Sequence, residues 1–250
     1  MTARSNRALY NKTDVVEFYD KAEGLMPPEQ YVFPKYFAEG SDVLDIGVGG
    51  GRTTPFLAAR AKRYLGIDYS EAMVAVCQRK FPGVSFACGD ATDLAFVPDE
   101  SFDATIFSFN GIDYIPTDEG RSACLKELRR VTRPNGTVII SSHNARVLGI
   151  YPQLKGVGIA RKAWRLMRSL VKSVELAWRM LRSNARRDGS GFIMDGVHGG
   201  LYTHVSTPQS IELDCREAGL RIVEVVGGHH PQTVPEFLNP WNTFVLKRAD

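Results

Sequence analysis

The chain's 250 residues are enough for one sizeable core, or one domain carrying a large insertion, since compact domains run to roughly 100–200 residues. With 44% hydrophobic and 24% charged residues it lies outside the disordered and fibrous classes. The formal net charge of +3 hides a segregation: residues 146–187 hold eleven Lys and Arg and a single acid, Glu175, whereas the remainder carries 20 basic against 27 acidic residues.

Four cysteines, Cys77, Cys88, Cys124 and Cys215, form no C-x-x-C spacing, so neither a zinc site nor a disulfide framework is signalled and no metal is expected. A reducing compartment fits. The N-terminus lacks the apolar core of a signal peptide, and no stretch approaches the ~20 apolar residues needed to span a bilayer. Cytoplasm is the expected location, with peripheral attachment to a membrane left open.

In chain order, residues 1–40 are read as an N-terminal helical lid. Apolar, β-branched runs then recur at 42–47 (DVLDIG), 63–68 (RYLGID), 84–90 (VSFACGD), 102–109 (FDATIFSF) and 136–143 (GTVIISSH). The segments between them have helical spacing, and Ser70 with Pro82 brackets the second as N-cap and stop. Such alternation predicts βαβ units and a parallel sheet covered on both faces. Residues 145–200 interrupt the pattern as a cap. Inside it, Ala160, Ala163, Trp164, Met167, Leu170, Val171, Val174, Trp178 and Leu181 share one face, opposite Arg161, Arg165, Arg168, Lys172 and Arg179. This is a cationic amphipathic helix, or two separated by a bend, and the following RRDGSGFIMDGVHGG reads as a glycine-rich loop. A last helix has Thr207 as N-cap, Pro208 in its first turn and Gly219 at its end, and two strands, RIVEVVG and WNTFVLKR, close the chain as an antiparallel pair.

The glycine cluster in VLDIGVGGGRTTPFL carries the first chemical signal. A dinucleotide fingerprint wants Gly or Ala where this chain has Arg52, and no Gly-Lys-Ser/Thr follows, so both phosphate-cradling readings fail. Asp45, two residues before Gly47, would repel a pyrophosphate and attract a cation. Asp68 ends the second strand, where a carboxylate can accept from both hydroxyls of a ribose, and Asp90 ends the third, within reach of a base's exocyclic amine. Together the acids describe an adenosine with a cationic tail; the alternative for each is a helix cap or a bond to a nearby amide.

The ordered motifs D-x-G-x-G-x-G (Asp45 to Gly51), YLGIDYS, GDATDL, FDATIFSFNGIDYI and LKELRRVTRPNGTVIIS resemble those of the class I S-adenosylmethionine-dependent methyltransferases, closely over residues 40–143 and loosely over 200–248. The resemblance implies an α/β, Rossmann-like sheet of seven strands in order 3-2-1-4-5-7-6, the seventh antiparallel, with S-adenosyl-L-methionine as cofactor and S-adenosyl-L-homocysteine as product. It assigns Asp45 and the backbone of Gly47, Gly49 and Gly51 to the methionine end, Asp68 to the ribose, and Asp90 and Ala91 to the adenine. Tyr69 and Met73 would pack on the adenosine, and Ser108 to Asn110 would line the donor near its methyl. Arg52 is either a partner for the methionine carboxylate or a solvated residue.

Alignment supplies much of the acceleration in a methyl transfer, but a hydroxyl acceptor benefits from a base. His143, at the end of the fifth strand, is the candidate, its alternative being a fixed turn into the cap. His198 and His204 are weaker candidates, His229 and His230 are read as solvated or structural, and Asp113 with Tyr114 is read as packing or donor contact, with catalysis as the equal alternative. A small-molecule or glycan acceptor is expected, with a lean to sugar O-methylation and natural-product N- or O-methylation as the alternative. The basic helix adds an anionic or lipid-linked acceptor, or membrane contact through 159–182, against simple solvation. Nucleic acid is not expected, for want of a recognition module.

Overall fold

The computed structural model describes residues 3–147, 158–181, 190–195 and 201–249. Three helices, α1 (Ala3–Tyr10), α2 (Thr13–Asp20) and α3 (Pro27–Tyr36), precede β1 (Asp42–Ile46). Then follow α4 (Thr54–Arg60), β2 (Arg63–Asp68), α5 (Glu71–Lys80), β3 (Ser85–Cys88), β4 (Phe102–Phe107), a 3-10 turn at Gly111–Tyr114, α6 (Asp118–Val131) and β5 (Thr132–His143). The remainder comprises α7 (Ile159–Leu181), β6 (Gly191–Asp195), β7 (Leu201–Val205), α8 (Pro208–Glu217), β8 (Leu220–Gly227), a 3-10 turn at Glu236–Leu238 and β9 (Trp241–Arg248).

The expected caps start the helices: Ser70 Oγ accepts from the Met73 N–H at the head of α5, and Thr207 Oγ1 from the Ser210 N–H at the head of α8. Gly219, at φ +74°, supplies the left-handed turn after α8.

Seven strands form one sheet in order β3-β2-β1-β4-β5-β9-β8, with β9 antiparallel to both neighbours. Since β8 and β9 are the sixth and seventh strands of this sheet, the order is the 3-2-1-4-5-7-6 anticipated from the motifs. Alternate residues face opposite layers. Val43, Ile106, Ile139 and Val245 pack with Phe33 of α3 and Leu57 of α4, while Leu44, Ile140 and Phe244 pack with Leu125 and Leu128 of α6 and Ile211 of α8. Burial on both faces explains why the strands read as continuous apolar runs. It also gathers the carboxyl ends of β1, β2, β4 and β5 on one edge, where ligands of open α/β sheets bind.

In the interruption α7 is a single helix, the first of the two expected forms, and one departure appears: part of the stretch read as a glycine-rich loop is strand β6, paired antiparallel with β7. The glycines masked a short apolar run whose partner is the later LYTHV; Phe192 stacks on Tyr202 with ring centroids 4.8 Å apart. Asn6 of α1 ties this pair to the body, its Nδ2 donating to the carbonyls of Tyr114 (2.9 Å) and Tyr202 (3.1 Å). Residues 148–157, 182–189 and 196–200 of the expected cap, His198 among them, lie outside the described residues.

Candidate functional site

The turn after β1 is held from below by the second strand. Gly49 N–H donates to Asp68 Oδ2 at 2.9 Å, and Ser70 N–H donates to Asp68 Oδ1 at 2.9 Å. Burial pushes the Asp68 carboxyl up to about 6, against the opposing pull of the Ser70, Gly49 and Tyr69 amides. Glycine is needed here for contact as well as conformation. Gly47 has φ +65°, and a Cβ on it would lie 2.7 Å from the Phe107 ring; a Cβ on Gly50 would collide with the Tyr19 carbonyl at the end of α2.

Over this turn lies a cavity of about 410 Å³. Its walls include Gly47, Gly49, Asp68, Tyr69, Met73, Asp90, Ala91 and Ser108, so most of the sequence-predicted donor residues meet in one place. Asp90 also serves as a local cap, its Oδ1 accepting from the N–H and Oγ1 of Thr92. The roof is supplied by residues that carried no chemical signal in the sequence: Asn6, Arg7 and Tyr10 of α1, and Tyr19 of α2.

Gly51 does not line the cavity; it packs against Phe81. The expectation for Asp45 is corrected. It is buried, lines neither this cavity nor the neighbouring one, and its Oδ2 accepts from Thr53 Oγ1 (2.6 Å) and Tyr64 Oη (2.9 Å). Burial raises its carboxyl to about 6, opposed by those two hydroxyls. Asp45 therefore braces the glycine turn against α4 and β2. Arg52 takes neither of its expected roles: its guanidinium forms two 2.6 Å bonds with Glu29 of α3 and lies 5.0 Å from the Phe109 ring centroid.

A second cavity, of about 300 Å³, shares Tyr19, Phe109 and Tyr114 with the first. His143 and Asn110 line this one, not the donor cavity. Between the two, Phe109 and Asn110 both adopt left-handed backbone (φ 54° and 61°), a conformation that costs roughly 1–3 kcal/mol per residue. The turn is held in place by Asn110 N–H donating to Ser141 Oγ at 2.7 Å.

His143 is fixed by Asp113, the residue that sequence reading left open between packing or donor contact and catalysis. Asp113 Oδ2 accepts from the His143 backbone N–H (2.6 Å) and from Nδ1 (2.8 Å), while Oδ1 accepts from Ser142 Oγ (2.7 Å) and Arg121 Nη1 (3.2 Å). Asp113 and Arg121 are both buried. Burial would raise the Asp113 carboxyl, but the bonds from His143 and the charge of Arg121 hold it below the usual carboxylate range. An ionised carboxylate only accepts, so Nδ1 carries the proton and Nε2 is the basic nitrogen. Nε2 lies 3.2 Å from Asn110 Nδ2 in the wall of the second cavity. The signal that could have found this pair is topological: β4 and β5 are neighbours, so the turn after one lies beside the end of the other.

His204 is buried, with Nδ1 3.0 Å from Ser206 Oγ and its ring edge-on to Phe192; neither cavity includes it. His229 and His230 pack near Trp241 and Tyr31 respectively. Among the described residues no group of three His, Cys, Asp or Glu is placed to hold a metal ion.

Residues 43–136, the segment carrying the glycine turn and the acids, match the methyltransferase domain family. Over that segment the chain is similar to the class I S-adenosylmethionine-dependent methyltransferases. A demethylmenaquinone methyltransferase of Beutenbergia cavernae is 38% identical over 102 residues, covering 41% of this chain and 40% of that protein. One from Streptomyces avermitilis is 35% identical over 136 residues, 51% of this chain and 56% of its own length. The chain thus spans about half or less of the curated relatives it matches.

Two solved structures have the same fold. The CcbJ methyltransferase of Streptomyces caelestis superimposes with a TM-score of 0.66 at 16% identity, over 97% of this chain and 98% of that one. The Burkholderia thailandensis 1,6-didemethyltoxoflavin-N1-methyltransferase, solved with 1,6-didemethyltoxoflavin and S-adenosylhomocysteine bound, gives 0.64 at 15% identity, over 100% and 92%.

The cofactor that the matched domain family implies, S-adenosylmethionine, fits the residues of this site. Tyr69 Oη, on the donor cavity wall, is one of two buried side-chain polar atoms without a hydrogen-bond partner among the described residues. A buried hydroxyl left so is expected where a polar ligand completes the site. The acids and glycine backbone that line the same cavity suit a hydroxylated, cationic molecule. The other orphan, Asn110 Oδ1, belongs to the second cavity.

Proposed function

We propose that the chain transfers a methyl group from S-adenosylmethionine to a hydroxyl or amine of a small-molecule acceptor held in the second cavity. The observation that carries this is the placement of His143 Nε2 in that cavity's wall, with Nδ1 tied to the buried Asp113. Asp68, Asp90 and Ala91, with the Gly47–Gly49 turn, would hold the nucleoside and its cationic tail. Bound there, S-adenosylmethionine supplies a methyl on an already activated leaving group, so alignment contributes much of the rate. His143 takes the acceptor's proton through Nε2, and Asp113 keeps the ring in that tautomer and stabilises the imidazolium that forms. Tyr19, Phe109 and Tyr114, shared by the two cavities, keep bulk water from the path between them.

The finer reading keeps its lean to sugar O-methylation, with natural-product N- or O-methylation as the alternative. The relatives' names, which refer to demethylmenaquinone, lend a sugar no support, so the acceptor screen should be broad. A lipid-linked acceptor reached from a membrane, with peripheral contact through 159–182, is the version that gives the cationic helix a role. The N-terminal helices act as a lid and the basic insertion as a cap in either version.

The test is transfer of labelled methyl from S-adenosylmethionine onto an acceptor panel, followed by His143→Ala at saturating acceptor. Turnover on a hydroxyl acceptor should fall about 10²-fold or more with S-adenosylhomocysteine binding retained. Unchanged turnover removes His143 as the base.

A further inference from the structure

We propose that the apolar face of α7 is a docking surface for an anionic phospholipid bilayer, on which the helix lies in the plane of the interface. The surface stands on the helix itself; its use in catalysis rests on the lipid-linked version of the function proposed above.

The first observation is where the apolar residues are. In the packed helices the apolar stripe is sequestered, and Leu125 and Leu128 of α6 have no exposed surface. In α7 the same kind of stripe faces outward: Ile159 is 87% exposed, Leu170 68%, Val174 60% and Trp178 56%, with Trp164, Met167 and Val171 also exposed beside them. A contiguous apolar patch of this kind on a folded chain marks an interaction surface.

The second observation selects the partner. The 23 residues of α7 include six Lys and Arg and one acid. Arg161, Lys162 and Arg168 are exposed in the structure. A second copy of α7 would bring like charges together, whereas a negatively charged surface meets opposite charge along the whole helix. The helix is about 10–12 Å across, close to the Debye length of ~10 Å at 0.1 M salt, so cations on its far side still feel the surface. Long basic side chains also reach back toward the interface.

Trp164 and Trp178 suit the boundary between acyl chains and headgroups, where an aromatic ring with a polar edge is favoured. The guanidinium of Arg168 lies 5.3 Å from the Trp164 ring centroid, a pairing that carries charge into that layer. At about 34 Å the helix would lie along the surface. No helix among the described residues is long and apolar enough to cross a membrane.

The third observation connects this surface to the site. α7 packs against β6, β6 pairs with β7, and β7 packs against α1, β5 and the Gly111–Tyr114 turn that carries Asp113. A bilayer under α7 therefore lies one two-stranded sheet away from the elements that build both cavities.

The experiment is co-sedimentation of the full chain with phosphatidylcholine vesicles, with and without phosphatidylglycerol, at low and high salt. Two variants accompany it: Arg161, Lys162, Arg165 and Arg168 all changed to Glu, and the pair Trp164→Ala with Trp178→Ala. S-adenosylhomocysteine titration of each protein serves as the folding control. We expect partitioning at least about tenfold stronger on the anionic vesicles, weakened by salt, and lost in both variants with S-adenosylhomocysteine affinity unchanged. No sedimentation with anionic vesicles at low salt, equal binding to phosphatidylcholine alone, or binding that survives charge reversal would each overturn the proposal. So would a dimer by analytical ultracentrifugation that the tryptophan variant dissociates while vesicles are ignored. Failure of wild-type S-adenosylhomocysteine binding would strike the methyltransferase reading and leave the vesicle result standing.

Discussion

Asp45→Asn separates a bracing role from a ligand role. In the fold the Asp45 carboxyl is raised from 3.8 to about 6, chiefly by burial. The native chain therefore holds a proton between about pH 4 and 6 that the unfolded chain has released, so this group's contribution to stability is full below pH 3.8 and is lost as pH rises through about 6. The 3.8-to-6 displacement at 1.36 kcal/mol per unit amounts to about 3 kcal/mol. Asparagine removes the titration, and its amide oxygen can accept from both Thr53 and Tyr64, as Oδ2 does in the native chain. Urea unfolding of the two proteins across this range should show the variant gaining on the native protein by about 3 kcal/mol from pH 4 to 7. S-adenosylhomocysteine affinity at neutral pH should stay within about threefold, since Asp45 lines neither cavity. A flat stability difference would refute the burial argument, and a loss of affinity beyond about tenfold, or 1.4 kcal/mol, would return Asp45 to the ligand.

Other outcomes follow from the same geometry. Asp68→Ala, which frees the Gly49 and Ser70 amides and removes the acid from the cavity wall, should weaken S-adenosylhomocysteine binding about tenfold or more by calorimetry; unchanged affinity would move the ribose site elsewhere. Asp113→Asn should lower kcat on a hydroxyl acceptor about 10²-fold or more while leaving S-adenosylhomocysteine affinity intact, because it releases the Nδ1 tautomer of His143. The same change leaves buried Arg121 with Asp214, 3.8 Å away, in place of its 3.2 Å carboxylate, and unfolding free energy should drop by up to roughly 3–5 kcal/mol. Gly50→Ala should push α2 off the glycine turn, seen as faster hydrogen exchange in residues 3–20 and weaker donor binding; retained protection there would disprove the contact.

The sheet was legible because its strands are buried on both faces, so DVLDI and TVIISS announce themselves without help from their neighbours. Caps were equally local: Ser70 and Thr207 act within three residues of themselves. What stayed hidden depended on chain segments meeting at a distance. The Asp113–His143 bond joins residues 30 apart across a strand crossover. Arg52 was ambiguous because its partner, Glu29, lies in a helix whose path the sequence does not dictate. Asp45 misled for a related reason: a carboxylate two residues before a glycine turn looks the same whether it faces a ligand or, as here, Thr53 and Tyr64.

The roof over the donor cavity is joined across almost the whole chain, Asn6 to Tyr202, a separation of 196 residues. During synthesis the contact with Tyr202 can form only after β7 has emerged, whereas the Tyr114 carbonyl and α5 are available to the first helices much earlier. The closure entropy of so long a loop is met by a few hydrogen bonds and tyrosine contacts. If a molecule binds only with the roof in place, it adds RT ln(1 + [L]/Kd) to the roof's stability. Donor concentration would then act as a structural variable for these first helices.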